Sequence, residues 1–183
     1  MRLFTAIELP PGILQRVERL LSALRPSAAV QWSPSQNLHI TTKFIGEWPE
    51  ARLSELEDVL KTLTERTPFP VLLQGLGWFP DAHKPRVLYL GIERHDAMTG
   101  LARDTNIALA SIGIPPEQKR YSPHLTLARI REKSTLEALR AAAAKETASG
   151  FEPFQADRFW LYRSELTPRG SIYTKLASFP FRP

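Results

Sequence analysis

The chain has 183 residues, 43% of them hydrophobic, enough for a proper core but too few for two large independent domains, so residues 1–183 are expected to form one bilobal domain. Its formal charge of +5 and pI near 9.7 favour an anionic partner without specifying one, because the Lys and Arg residues are scattered rather than gathered in a block. The absence of cysteine excludes disulfides, thiolate nucleophiles and cysteine-ligated metal centres, and no apolar run approaches the ~20 residues that span a bilayer, so a cytoplasmic protein with no membrane partner is expected.

Arg2 to Leu9 reads as a strand, and Pro10-Pro11-Gly12 opens a helix with Ile13, Val17, Leu20, Leu21 and Leu24 on one face before Pro26 closes it. A polar loop after Trp32 leads into the alternating strand Leu38 to Gly46. Pro49 suits the first turn of a second helix carrying Leu53, Leu56, Leu60 and Leu63. Two apolar runs, Phe69 to Phe79 and Arg86 to Ile92, flank a Pro80–Pro85 loop and predict an antiparallel hairpin. A third helix is predicted from Asp96 to Ser111, with Gly113 placed to end it. Tyr121 to Ile130 then reads as a strand. Ser134-Thr135-Leu136-Glu137 has the form of a capping box opening an alanine-rich helix that ends near Gly150. Phe154 to Leu166 and Ser171 to Phe181 supply two closing strands around a Thr167–Gly170 turn. The order β-α-β-α-β-β-α-β-α-β-β contains a strand, helix and hairpin from Trp32 that recur from Tyr121, the pattern of a diverged internal duplication.

Each predicted unit carries the same short motif on its first strand, His39-Ile40-Thr41 and His124-Leu125-Thr126. Successive side chains of a strand face opposite ways, so each histidine shares a face with its threonine while the intervening residue faces the core. One histidine on a half-buried strand is more often structural; the recurrence is what points to chemistry. Displacement at phosphorus needs a base for the attacking oxygen and an acid for the leaving oxygen, and two imidazoles can divide those roles. Two threonine hydroxyls can donate to the non-bridging oxygens. Neither motif has the carboxylate or second histidine at the spacing of a hydrolytic metal site, so no metal and no other cofactor is expected.

The segments Leu38-His39-Ile40-Thr41-Thr42-Lys43-Phe44-Ile45-Gly46-Glu47 and Ser122-Pro123-His124-Leu125-Thr126-Leu127-Ala128-Arg129 resemble the two signature strands of the 2H phosphoesterase superfamily, in particular the RNA 2′,3′-cyclic phosphodiesterases also called 2′-5′ RNA ligases. The likeness extends to Arg2–Ile7, Pro85–Gly91 and the closing Ser164–Tyr173 segment. It implies a bilobal α+β fold of two antiparallel sheets with flanking helices, a central groove and a pseudo-twofold relation between the halves. It also implies roles. His124 would be the base that activates water against a 2′,3′-cyclic phosphate, and His39 the acid that protonates the departing 3′ oxygen, leaving a 2′-phosphomonoester. Thr41 and Thr126 would hold phosphate oxygens. The implied partner is RNA with a cyclic phosphate end or a small cyclic nucleotide, acted on by a monomer.

Arg129 sits near the phosphate in similar proteins, yet strict alternation puts it opposite His124 unless the strand bends. Lys43 shares the parity of His39, though strand-end lysines are more often solvated. Trp32, Tyr121 and Phe151 are candidates to stack on a base. His83 and His95 fall in loop and helix-start contexts and carry no functional signal. Two rival readings remain: a 2′-5′ RNA ligase running the same site in reverse, and an RNA- or nucleotide-binding module, which would need neither acid nor base.

Overall fold

The computed structural model describes residues 1–93, 95–131, 134–146, 150–168 and 170–182. In chain order the elements are β1 (Arg2–Glu8), α1 (Pro11–Leu24), β2 (Gln31–Trp32), β3 (His39–Glu47), α2 (Leu53–Lys61), β4 (Phe69–Phe79), β5 (Val87–Glu93), α3 (Asp96–Ala110), β6 (His124–Arg129), α4 (Glu137–Lys145), β7 (Phe154–Ala156), β8 (Arg158–Thr167) and β9 (Gly170–Pro180).

The helices form where apolar periodicity and terminal chemistry agree. α1 starts with Pro11 in its first turn and buries Ile13, Val17, Leu20, Leu21 and Leu24. α3 is closed by Gly113, whose φ of +89° favours glycine, with the Gly113 and Ile114 N–H groups donating back to the Ala110 and Leu109 carbonyls. The expected capping box does not form. The Ser134 N–H instead donates to the Arg131 carbonyl at 3.1 Å, and α4 begins only at Glu137 with no side-chain cap. α4 also stops at Lys145, short of Gly150; residues 147–149, and Arg169 of the predicted closing turn, lie outside the described residues. Among the described residues no helix is long and apolar enough to cross a membrane.

The strands build two antiparallel sheets, β3-β1-β8-β9 and β2-β6-β5-β4-β7. One predicted strand, Phe154 to Leu166, is two. β7 pairs with β4 and β8 pairs with β1, and the chain passes from one sheet to the other at Asp157, whose carbonyl accepts from the Phe181 N–H at 2.7 Å. The internal repetition takes a specific topological form. The series β1-α1-β3-α2-β4 recurs as β5-α3-β6-α4-β8, and the last strand of each series pairs with the first strand of the other: β4 with β5, and β8 with β1. Neither half therefore completes a sheet alone.

The helices and the inner faces of both sheets share one apolar cluster, with Phe159, Leu21, Ile40, Leu88 and Leu125 fully enclosed. The opposite face of the first sheet carries a smaller cluster of Phe4, Ala6 and Tyr162, flanked by Trp160 and Tyr173. The motif strands β3 and β6, from different sheets, approach each other directly. Phe159 sits at the β8 crossover, stacked 4.8 Å from Phe179. Phe159→Ala should cost about 3–5 kcal/mol of stability by denaturant unfolding, in a single transition, because the strand it anchors completes a sheet begun by the other half.

Candidate active site

On β3, Glu8, Ala6 and Phe4 of β1 pair with His39, Thr41 and Phe44. Glu8, Ala6 and Phe4 alternate along one face, so their partners share it. Thr42 is an extra residue between Thr41 and Lys43, a β-bulge, and it reverses the parity of Lys43 and Phe44 before a second extra residue, Ile45, restores it. The same device recurs on β6. Gly91, Tyr89 and Val87 of β5 pair with His124, Thr126 and Arg129, and Leu127 is the extra residue. Both bulges are held by dedicated partners. The buried Thr42 hydroxyl bonds the Thr5 hydroxyl at 2.8 Å, and the Leu127 carbonyl accepts from the Ser33 N–H at 2.8 Å.

The bulges settle two expectations drawn from strict alternation. Arg129 is carried onto the His124 and Thr126 face, where its charge acts on both histidines. Lys43 is turned away from the groove. It is buried and its Nζ donates to the Pro115 carbonyl at 3.1 Å, so it has no place beside the motif residues. Its successor Phe44 takes the groove face and is 58% exposed. Phe44 and Arg129 follow their histidines at the same spacing and occupy equivalent places on the two strands.

Each imidazole is fixed in the same way. Nδ1–H of His39 donates to the Asn37 carbonyl, and Nδ1–H of His124 donates to the Ser122 carbonyl, both at 2.7 Å. A carbonyl can only accept, so Nδ1 carries the proton and the neutral ring's lone pair lies on Nε2. Aromatic rings hold the planes. His39 lies 4.7 Å from Phe4 and edge-on to Tyr173 at 5.1 Å, while His124 lies edge-on to Phe79 at 4.9 Å and Tyr89 at 5.5 Å. Gly77 is required beneath Tyr89, since a Cβ there would come within 2.2 Å of the ring. The Tyr121 hydroxyl donates to the Thr41 carbonyl at 2.8 Å, tying the loop before β6 to β3.

The two halves differ in detail. The Thr41 hydroxyl lies 3.0 Å from Nε2 of His39, whereas the Thr126 hydroxyl has no protein partner among the described residues. Burial lowers both imidazole pKa values, taking His39 down to about 4, and Arg129 pushes both further in that direction. Both rings are therefore neutral at pH 7 in the free protein. Among the described residues no three His, Asp or Glu side chains gather as a metal cluster would.

The other candidates are engaged elsewhere. Trp32 Nε1 donates to the Ala28 carbonyl, and Phe151 is buried against Arg16. The His83 backbone N–H donates to the Asp81 carboxylate, and His95 bonds the Thr99 hydroxyl at the start of α3. Asn37, Ser122, Phe44 and the aromatic props were not singled out from the sequence. The signal available was positional: the carbonyl partners lie two residues before each histidine, and Phe44 and Arg129 five after.

The chain belongs to the LigT like phosphoesterase family, whose profile matches residues 7–89 and again 90–173. The two matches begin in β1 and β5, the strands that the topology makes equivalent. Among curated relatives, the RNA 2′,3′-cyclic phosphodiesterase of Methanothermobacter thermautotrophicus is 32% identical over 98% of each chain, and that of Aquifex aeolicus is 32% identical over 98% of this chain and 96% of its own. A crystal structure from Thermus thermophilus is similar with a TM-score of 0.83 at 29% identity, covering 100% of this chain and 98% of that one. Escherichia coli LigT complexed with 3′-AMP shares the fold, with a TM-score of 0.79 at 23% identity over 100% of this chain and 98% of its own.

A half-buried histidine kept neutral by desolvation makes stability depend on pH. The unfolded chain takes up the His39 proton near pH 6.5, the folded chain only near 4, so the unfolded state binds more protons between those values. Stability should be fully present above pH 6.5 and fall as pH drops, by at most about 1.4 kcal/mol per pH unit for each such histidine. Thermal melts from pH 7 to 5 should show this decline, and His39→Gln should flatten it; an equal slope in the variant would contradict the assigned burial.

Proposed function

We propose that the protein hydrolyses the 2′,3′-cyclic phosphate end of RNA to a 2′-phosphomonoester, with no metal ion. The observation that carries the proposal is the convergence of two Nδ1-anchored imidazoles on adjoining strands, each beside a threonine hydroxyl, with Arg129 charging the same groove. Relatives matching nearly the whole chain carry this activity in their names.

In this reading Nε2 of neutral His124 takes a proton from water as the oxygen attacks phosphorus. The resulting imidazolium is steadied by its Nδ1–H bond to the Ser122 carbonyl. Charge building on the non-bridging oxygens is met by the Thr41 and Thr126 hydroxyls and the Arg129 guanidinium. His39, protonated at Nε2, donates to the departing 3′ oxygen. Burial makes the His39 imidazolium a strong acid, and the substrate's negative charge keeps it protonated in the complex. Arg129 also favours an anion over a divalent cation. Phe44 offers an exposed ring beside the phosphate site for the terminal base.

Chelated protein incubated with RNA ending in a 2′,3′-cyclic phosphate should yield a terminal 2′-phosphate. His39→Ala and His124→Ala should each lower kcat by about 10²–10⁴, and Thr41→Val or Thr126→Val by less. Activity that survives both histidine variants, or that collapses with chelator, would refute the reading. The acid and base can be told apart with a substrate bearing sulfur in place of the 3′ oxygen, since a thiolate departs without protonation. On that substrate the defect of His39→Ala should largely disappear while that of His124→Ala persists; the reverse pattern would exchange their roles.

A further inference from the structure

A cavity separate from the motif residues takes no part in the chemistry above. It has a volume of about 490 Å³, within the range of small-ligand sites, and is walled by Glu8, Pro10, Leu14, Asp157, Arg158 and Trp160 where β1 leaves its sheet for α1. Three observations tie it to the substrate. Glu8 is the cross-strand partner of His39, so the cavity begins one strand from the acid. Trp160 pairs with Ala6, which pairs with Thr41, so Trp160 shares the groove face two strand spacings, roughly 10 Å, from the phosphate-binding hydroxyl. Trp160 Nε1–H is buried and has no acceptor among the described residues, although a buried indole N–H ordinarily finds one. Lys175 lies 4.5 Å over the same indole and pairs with Glu8.

We infer that this cavity is a subsite for the nucleotide on the 5′ side of the cyclic phosphate, with side chains over the indole shifting so that Trp160 Nε1–H, enclosed in the free protein, donates to an oxygen of the linking phosphodiester. The proposal rests on the phosphate site between His39 and His124. A polynucleotide held there by its 3′ end has one continuation, through its 5′ oxygen. An anionic linkage next to that end supplies the acceptor the indole N–H lacks, and it would compete with the Asp157 and Glu8 carboxylates for the Arg158 and Lys175 side chains paired to them. The apolar walls at Pro10 and Leu14 suit the adjoining nucleoside. The chemistry recognised is thus that of an oligonucleotide, and a lone cyclic mononucleotide leaves the cavity unused.

The test compares kcat/KM for a 2′,3′-cyclic mononucleotide, the same with a 5′-phosphate, and a dinucleotide with a cyclic end, in wild type, Trp160→Phe and Arg158→Gln. The wild type should prefer the dinucleotide. Trp160→Phe, which keeps a ring but removes the N–H, should lower the ratio of dinucleotide to mononucleotide by about tenfold. The 5′-phosphorylated mononucleotide should follow the dinucleotide, because it carries the same anion. Hydrolysis of the mononucleotide shows that each variant is folded. An unchanged ratio in both variants overturns the subsite. If wild type hydrolyses none of the three, the reading of the histidines fails instead. The subsite is then decided by calorimetry with the dinucleotide 2′-phosphate: weaker binding in Trp160→Phe upholds it, and equal binding overturns it.

Discussion

One extra residue just after each His and Thr pair determines which later side chain joins them in the groove. A strand alternates with period two, so a bulge reverses the assignment of the side chains that follow it. Thr42 and Leu127 are those extra residues, placed just after Thr41 and Thr126. They leave the His and Thr pairs undisturbed and bring a fifth position into line, Phe44 on one strand and Arg129 on the other. An apolar ring and a fixed cation thus flank the same pair of imidazoles. The bulges persist because each is satisfied, by the Thr5–Thr42 hydroxyl pair and by Ser33 on the Leu127 carbonyl.

The exchange of strands between the two repeats serves the same end. Because β4 completes the sheet of β5 and β6, and β8 completes that of β1 and β3, the two repeats cannot separate without unpairing a central strand. The site is built on rigid elements of the scaffold, and among the described residues loops contribute the carbonyls of Asn37 and Ser122 and the Tyr121 strut. The cost falls on the histidines. Desolvation and the Arg129 charge hold them neutral in the free protein, which sacrifices stability at low pH.

Much of this was legible in the residues themselves. The helices over Pro11–Leu24 and Asp96–Ala110 follow apolar periodicity bounded by proline and glycine, and the β4–β5 hairpin follows two apolar runs around a proline-bracketed loop. The His and Thr pairs stood out because neighbouring alternation survives any later irregularity. What alternation could not supply was the bulge, which depends on partners distant in sequence such as Thr5 and Ser33. Lys43 and Arg129 were misaligned for that one reason, in opposite directions. The strand from Phe154 was read as continuous, although its buried residues shift from Phe154 and Ala156 to Phe159 and Leu161, a parity change that marks the crossing at Asp157. Ser134 matched a cap by pattern, but its N–H belongs to a turn that precedes the helix.

The central claim is that the bulged strands make one anion site from two histidines, two threonines and Arg129. It is tested most directly by a crystal structure with a nucleoside 2′-phosphate bound at neutral pH. The account predicts the phosphate between the two Nε2 atoms, each within about 3.2 Å of a phosphate oxygen, with the Thr126 hydroxyl and Arg129 guanidinium also bonded to it and the base against Phe44. A phosphate bound away from either imidazole, or bonded to Lys43 in place of Arg129, would contradict it.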